Sequence, residues 1–167
     1  YIDFTQADVS NFEKFVVEAS TFSSSGVTYS YAPEGFYFTA TQLVQFHTID
    51  GAKIFVKGGG TVDLSQITLL NGATIEFADD EDVNITGTDQ GDVITTQGGD
   101  DVINAGAGSD VITAGAGTDS VNAGEGNDVV VISGESIVLD NLGGGAGSDT
   151  LRVLGGAIDL SGANVAN

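Results

Sequence analysis

Residues 87–131 read GTDQGDVIT, TQGGDDVIN, AGAGSDVIT, AGAGTDSVN and AGEGNDVVV, which are five consecutive nonapeptides. Glycine is concentrated in the first half of each unit, and a β-branched residue occupies the eighth position of all five. The sixth position is always aspartate: Asp92, Asp101, Asp110, Asp119 and Asp128. A short fixed period indicates one structural unit that is stacked many times along the chain.

Each nonapeptide combines the chemistry of a turn with that of a strand. Glycine with Asp or Asn favours turns because glycine adopts positive φ without steric cost. The β-branched runs that follow, such as V-I-T and V-I-N, favour short strands. We therefore predict a turn followed by a strand of about three residues in every unit. If the turns stack at a strand spacing of about 4.8 Å, the aspartates face one another along a ladder.

Carboxylates held in such a ladder need a counter-charge. Two unit charges at that spacing repel by about 1 kcal/mol in water and by about 3.5 kcal/mol at an effective dielectric constant of 20. A hard divalent cation between the turns reverses the sign of this interaction. Carboxylate and carbonyl oxygens are the ligands that calcium prefers, so the pattern predicts calcium binding.

The charge distribution supports the same interpretation. The net charge is −20, and 15 of the 24 acidic residues lie between Asp79 and Asp149, where the sequence has no Lys or Arg. Disordered acidic tracts are poor in β-branched residues and lack a period, unlike this one. Without a basic patch to neutralise phosphates, nucleic-acid binding is not expected.

Length and composition limit the remaining classes. The chain has 167 residues, enough for one core or one elongated solenoid, and it contains no Cys and no Met. We expect it to begin inside a longer or processed polypeptide, because position 1 is not Met. No apolar run approaches the roughly 20 residues that cross a bilayer, so we expect no membrane span.

Residues 105–131 resemble the G-G-x-G-x-D-x-U-x nonapeptide of RTX proteins. Three consecutive units keep the second and fourth glycines and the aspartate, while alanine replaces the first glycine. Upstream the sequence departs further, with Thr96 and Gln97 at the Gly-Gly pair of one unit and Gln90 at the fourth position of another. A weaker resemblance of the flanking units is to bacterial S-layer proteins and large RTX adhesins.

The RTX resemblance implies an all-β fold, a right-handed parallel β-roll in which two nonapeptides make one turn. Loops two nonapeptides apart would stack, with Asp92, Asp110 and Asp128 on one edge and Asp101 and Asp119 on the other. About three to five calcium ions would lie between stacked neighbours and also contact backbone carbonyls. The implied metal ligands are Asp92, Asp101, Gly106, Gly108, Asp110, Gly115, Gly117, Asp119, Gly124, Gly126, Asp128, Gly145, Gly147 and Asp149.

Acidic residues beyond the five units leave alternatives open. A sixth copy, GGAGSDTLR at residues 144–152, begins three positions later than the period predicts from Ala123. We predict that a longer loop at residues 141–143 absorbs the three extra residues and that Asp149 stacks against Asp128. Glu135, in the segment ISGESIVLD, is either a solvated turn residue or a substitute ligand near Asp119. The acidic run at residues 79–82 is either a solvated loop or a supplementary cation site.

The first half of the chain differs from the repeats in composition and in pattern. Seven of nine Phe and all four Tyr precede residue 47, and the nine-residue period is absent. We predict an aromatic-rich β cap with larger solenoid coils at residues 1–78, and the calcium roll with a C-terminal β extension at residues 79–167. Strands are expected at residues 54–56, 74–77 and 83–85, and residues 38–50 are interpreted as an imperfect unit.

No catalytic signature emerges from the sequence, so we expect a protein that is not an enzyme. The single histidine, His47, follows Phe46 in an alternating apolar run and is interpreted as structural. Neither a G-x-S-x-G elbow nor an H-E-x-x-H helix is present. The in-phase aspartates are better explained as ligands than as acids or bases.

Three functional hypotheses remain. The first is a structural calcium-binding segment of a secreted bacterial surface protein, an S-layer subunit or adhesin, with calcium, copies of itself, neighbouring domains or cell-surface polysaccharide as partners. The second is the non-catalytic RTX domain of a type I-secreted hydrolase or toxin. The third is a carbohydrate-binding module whose stacking platforms, around Pro33, would be Tyr29, Tyr31, Phe36, Tyr37 and Phe38.

Overall fold

The computed structural model describes residues 2–3, 5, 14–16, 20–24, 27–31, 36–50, 53–70, 74–133, 136–154, 157–159 and 164–166. One short helix, α1 (Ala40–Leu43), lies in this part of the chain. The strands there are β1 (Ile2–Asp3), β2 (Lys14–Val16), β3 (Ser20–Ser24), β4 (Val27–Tyr31), β5 (Phe36–Thr39), β6 (Thr48–Asp50), β7 (Lys53–Lys57), β8 (Gly60–Asp63), β9 (Thr68–Leu70), β10 (Thr74–Phe77), β11 (Val83–Thr86), β12 (Val93–Thr95), β13 (Val102–Ala107), β14 (Val111–Ala114), β15 (Thr118–Glu125), β16 (Val129–Ser133), β17 (Ser136–Ala146), β18 (Thr150–Leu154), β19 (Ala157–Asp159) and β20 (Asn164–Ala166).

Two long parallel sheets form the solenoid. Sheet 1 has the order β1-β5-β7-β10-β12-β14-β16-β18, and sheet 2 the order β8-β11-β13-β15-β17, with β19 and β20 both pairing with β17. From β7 onward, successive coils of the chain add one strand to each of these sheets. The predicted all-β parallel solenoid is confirmed, and the expected strands at residues 54–56, 74–77 and 83–85 are β7, β10 and β11.

The coil changes from three sides to two along the chain. A third parallel sheet, β2-β6-β9, runs beside the first coils and ends at β9. Ile54 pairs with Ile75, whereas Ile94 pairs with Ile112, so the later coil is shorter. The coil from Phe36 to its partner Ile54, in contrast, has the same length as a repeat coil, so the larger coils before the roll stay a prediction. The division at residues 78 and 79 stays a prediction, and strands on its two sides pair directly in both sheets.

Helix α1 replaces a strand in the segment predicted as an imperfect unit. It contacts β5, β7 and β8, and thus lies beside the first strand of sheet 2. Thr39 begins it with a capping box, in which its hydroxyl accepts from the Gln42 N–H and its own N–H donates to Gln42 Oε1 at 2.9 Å. Residues 38–50 therefore form a coil with a helix on one side. The helix begins at a local cap, which the strand pattern did not reveal.

The core is a pair of aliphatic ladders between the two sheets. Inward-facing residues stack coil upon coil and are at most 4 % exposed: Ile75, Ile94, Ile112 and Val130 in sheet 1, and Ile85, Ile103, Val121 and Leu142 in sheet 2. Their neighbours along each strand point outward, as the alternation of side chains along a strand requires. The eighth position of the repeat is thus the core position.

The three extra residues before the sixth copy are not absorbed at residues 141–143, so that prediction is wrong. These residues belong to β17 and pair in register with β15 and β20. One extra residue, Asp140, enters at a bulge, because Asp119 pairs with Leu139 while Ser120 pairs with Asn141. The other two enter between Ile132, which pairs with Ala114, and Val138, which pairs with Thr118.

Truncation of one core position provides a test of this packing. Ile112 is 0 % exposed, whereas its neighbour Val111 is 39 % exposed. We expect Ile112→Ala to lower the free energy of unfolding by about 2–5 kcal/mol, because it leaves a cavity between the sheets. The matched Val111→Ala change should cost below about 1 kcal/mol. Urea denaturation followed by circular dichroism measures both, and equal losses would contradict the assigned register.

Candidate metal centres along two edges of the roll

The loops between the two sheets stack along two edges. Segments 87–92, 105–110, 123–128 and 144–149 lie on the first edge, and segments 78–82, 96–101 and 114–119 on the second. They are called loops here, although strands β13, β14, β15 and β17 extend into four of them. The predicted glycine ligands all lie in these loops: Gly106, Gly108, Gly115, Gly117, Gly124, Gly126, Gly145 and Gly147. The predicted split of the aspartates between two edges is confirmed, and it includes Asp149 below Asp128.

Each sixth-position aspartate from Asp101 onward is tied to the coil before it. Its Oδ1 accepts a hydrogen bond from the backbone N–H of a residue one coil earlier. These pairs are Asp110 to Asp92 at 2.8 Å, Asp128 to Asp110 at 2.9 Å, Asp149 to Asp128 at 3.1 Å, Asp119 to Asp101 at 3.1 Å and Asp101 to Val83 at 3.0 Å. The carboxylates therefore point into the gaps between stacked loops and fix the register of the coils.

The second oxygen of four of these carboxylates is buried and unsatisfied. Among the described residues, no hydrogen-bond partner exists for Oδ2 of Asp101, Asp110, Asp128 and Asp149. A buried, unpaired polar oxygen is costly, and a buried unpaired charge is more so. Such oxygens, repeated at successive coils, fit calcium, whose ligands are hard oxygens.

Asp92 ends the ladder on the first edge and differs from the others. Its Oδ2 accepts from the Thr88 N–H at 2.6 Å, and its Oδ1 is 3.0 Å from the Thr88 hydroxyl. Both oxygens are thus engaged within its own loop, and its role as a metal ligand stays a prediction. Thr88 is not among the residues predicted from the sequence, although a threonine at the second position, where the motif has glycine, is a visible departure.

Glycine allows the loops to stack backbone against backbone. Gly117 and Gly126 adopt φ of 143° and 145°, which other residues rarely do. A Cβ at Gly117 would overlap the carbonyl oxygen of Gly99, and one at Gly126 would overlap that of Gly108. The glycines therefore leave loop carbonyls uncovered at the gaps that the aspartates enter.

Burial makes these carboxyl groups reluctant to ionise. Burial raises the pKa of Asp110 to about 6, and the charges of Asp92 and Asp128 act in the same direction. The hydrogen bond from the Asp92 N–H has the opposite, smaller effect of lowering the pKa. Burial likewise raises the pKa of Asp119 to about 6, with Asp101 and Asp100 adding to the effect. The pKa values of Asp92 and Asp101 are also raised, mainly by burial. The ladder therefore needs either protons or cations.

The donor set is a mixture of carboxylate and carbonyl oxygens. No three side chains of Asp, Glu, His or Cys converge on one point in the described ranges. Each gap thus offers few carboxylates, and backbone carbonyls would complete a coordination shell. Calcium accepts such mixed oxygen shells with flexible geometry, so the residues present fit it.

A second file of side chains, which the sequence analysis missed, lies at the fifth position of the second edge. Asp82 Oδ1 accepts from the Asp100 N–H at 2.8 Å, and Asp100 Oδ1 accepts from the Thr118 N–H at 2.8 Å. Asp82 and Asp100 are exposed and link successive coils one position before the ladder, but here the N–H donor lies on the later coil, whereas in the ladder it lies on the earlier one. Glu135, the other acidic residue left open above, lies outside the described residues.

The raised pKa values predict an unusual pH dependence for the calcium-free protein. A carboxyl whose pKa is higher in the folded than in the unfolded state stabilises the fold below the unfolded value, near 3.9, and loses this contribution as the pH rises through about 6. Acidification from pH 7.5 to 5 should therefore raise the melting temperature in calcium-free buffer. With saturating calcium, the same change should lower it, because protons compete for the ligands.

The double variant Asp110→Asn with Asp119→Asn shows whether the titration of these two carboxyl groups, rather than the overall negative charge, causes the pH dependence. It should flatten the calcium-free dependence between pH 5 and 7, as followed by thermal circular dichroism. A calcium-free melting temperature that falls with acidification would contradict the burial of charged carboxylates.

Comparison with known proteins identifies the repeats. A family model described as the RTX calcium-binding nonapeptide repeat (4 copies) matches residues 84–112 and 95–130. No curated protein and no solved structure gives a significant match to the chain. The matched residues contain Asp92, Asp101, Asp110, Asp119 and Asp128, whose carboxylates line the two edges. The chain therefore contains RTX calcium-binding nonapeptide repeats, which form a calcium-binding structural β-roll.

Proposed function

We propose that this chain is a structural segment of a secreted bacterial surface protein, an S-layer subunit or an adhesin, that folds and assembles on extracellular calcium. One observation carries the proposal. Buried carboxylate oxygens without a hydrogen-bond partner among the described residues recur at successive coils along the roll. An arrangement of this kind is stable only when each gap is neutralised.

Folding and ion binding are coupled through the chain's own residues. Oδ1 of Asp110 and of Asp128 holds the preceding coil in register, and the glycines let the loops approach until Oδ2 is enclosed. Calcium, when bound, supplies the positive charge that these gaps lack. Because a binding site exists only in the stacked form, the free energy of binding contributes to folding.

The expected affinity suits an extracellular role. Calcium sites of extracellular modules bind with dissociation constants of about 10⁻⁴–10⁻³ M, far above cytosolic calcium. RTX repeat proteins are typically secreted. None of the described residues forms a helix that is long and apolar enough to cross a membrane. We infer that the chain leaves the cell unfolded and completes its roll outside.

We further propose that the segment is not an enzyme. In the described part of the chain, the buried polar or charged residues all lie in the stacked loops: Thr88, Asp92, Thr96, Asp101, Asp110, Asp119 and Asp128. The loop geometry accounts for them as register and ligand groups. His47 is exposed, and its backbone carbonyl accepts from the Thr68 N–H at 2.8 Å, which fits a structural position.

The structure argues against the carbohydrate-binding alternative for part of its proposed surface. Phe36 and Phe38 are 6 % and 1 % exposed, so their rings cannot stack on a glycan. Tyr37 packs against Phe55 with ring centroids 5.1 Å apart, and Lys57 Nζ lies 3.9 Å from the Tyr37 ring centroid. Pro33 and the side chains of Tyr29 and Tyr31 lie outside the described residues.

Calcium titration of the calcium-free protein tests coupled folding. We expect β-structure and melting temperature to increase with calcium, and Asp110→Asn to weaken this response because its gap loses a carboxylate. At about 10 mM calcium, the loss of one site of the affinity given above should lower stability by about 1–3 kcal/mol. Asp89→Asn, an exposed change of equal charge on the same edge, is the matched control. Unchanged circular dichroism upon calcium removal would refute the proposal.

Light scattering coupled to size-exclusion chromatography tests assembly separately. For a surface-layer or adhesin segment, we expect calcium to raise the mass beyond that of one chain. A monomer that only becomes more compact would favour an accessory roll of a secreted hydrolase or toxin instead. A calcium-bound Asp110→Asn sample, compared at equal protein concentration, shows whether assembly depends on the ladder.

A further inference from the structure

The gap between loop 78–82 and loop 96–101 is built like the repeat gaps, although one of its walls is not a repeat. Loop 78–82 has the sequence ADDED, without glycine, and lies outside the matched residues 84–130. It nevertheless stacks on loop 96–101 on the second edge. Whatever this gap holds is therefore not assigned by the repeat family.

Asp101 supplies a buried, unsatisfied oxygen to this gap. Its Oδ1 accepts from the Val83 N–H at 3.0 Å, which directs the carboxylate back toward loop 78–82. Its Oδ2 is buried and has no hydrogen-bond partner among the residues described, and the residue is 1 % exposed. Asp110 has the same arrangement in a gap between two repeats.

Acidic side chains approach from the other wall. Oδ1, Cβ and Cγ of Asp80 lie 3.0–3.2 Å from where a Cβ on the buried Gly98 would be, so its carboxylate rests on loop 96–101 in space left by that glycine. The Glu81 carbonyl oxygen lies beside Gly99, 2.9 Å from the corresponding position. Asp82 is held by the Asp100 N–H and adds negative charge near Asp101.

We propose that this gap is an additional divalent-cation site, formed by Asp101 Oδ2 from one wall and by Asp80 with backbone carbonyl oxygens of loop 78–82 from the other. The ligand is a hard cation of the calcium class, since all the donors are oxygens. The inference rests on the proposed calcium-dependent folding but adds a site in which one of the two loops, 78–82, lies outside the repeats.

Such a site would join the roll to the three-sided coils before it. Loop 78–82 is also bonded to the preceding coil, because Asp79 Oδ2 accepts from the Gly58 N–H at 2.7 Å and the Asp82 carbonyl accepts from the Gly60 N–H at 3.0 Å. Cation binding at Asp101 therefore extends order beyond the repeats, from the two-sided coils into the three-sided coils.

Native mass spectrometry of the full chain, titrated with calcium chloride, measures the site directly. The test variant is Asp80→Asn with Asp82→Asn, which keeps the side-chain shape and the Asp82 Oδ1 acceptor. The matched control is Asp89→Asn with Glu125→Gln, two exposed loop positions on the first edge with the same change in charge. Hydrogen exchange of the Val83 amide, which donates to Asp101 Oδ1, shows whether an ion binds in this gap.

We expect the test variant to bind one calcium ion fewer than the natural sequence, and to lose calcium-dependent protection at Val83. The control should keep the full number of ions and that protection. Equal ion numbers in test variant and natural sequence, or equal losses in both variants, would overturn the additional site while leaving the repeat sites intact. A natural sequence that binds no calcium would refute this site and the proposed function together.

Discussion

The enclosure of like-charged carboxylates between closely stacked loops is the constraint on which the rest of this structure depends. Asp110, Asp119 and Asp128 each bind the preceding coil through Oδ1, which makes them register elements before they are ligands. The same hydrogen bond holds the carboxylate in a buried position, where burial raises the pKa of Asp110 and Asp119 to about 6. Structural order and electrostatic cost therefore arise from one contact.

The two halves of each nonapeptide divide this task. The strand half supplies the aliphatic ladder, in which Ile94, Ile112 and Val130 stack coil upon coil in the buried core. The loop half adds only small side chains to the core, Ala105, Ala114 and Ala123, and depends on glycines such as Gly117 and Gly126 to reach the same coil spacing. A uniform spacing at the core and at the edges is what lets one short sequence repeat along the solenoid.

The ends of the ladder show how the pattern terminates. At the first edge, Thr88 engages both oxygens of Asp92, so the file ends with an internal hydrogen-bonded loop. At the second edge, Asp101 meets a loop rich in acidic residues and keeps an unsatisfied oxygen. A threonine side chain of the same loop bonds each of the two aspartates, Thr88 at Asp92 and Thr96 at Asp101, but only Asp92 has partners for both oxygens.

The sequence alone determined the stacked turn-and-strand unit and the calcium chemistry, because a nine-residue period fixes which residues recur in the same environment. The resemblance of the repeats to RTX nonapeptides implied the parallel all-β roll and the allocation of the aspartates to two edges. The sequence did not determine how irregular segments are accommodated. Helix α1, the bulge at Asp140 and the pairing of residues 141–143 follow from ladder pairing between distant strands and from a local cap, neither of which has a period. The Thr88 contact and the orphaned oxygen of Asp101 likewise depend on which loops lie against each other, and only the tertiary structure decides that.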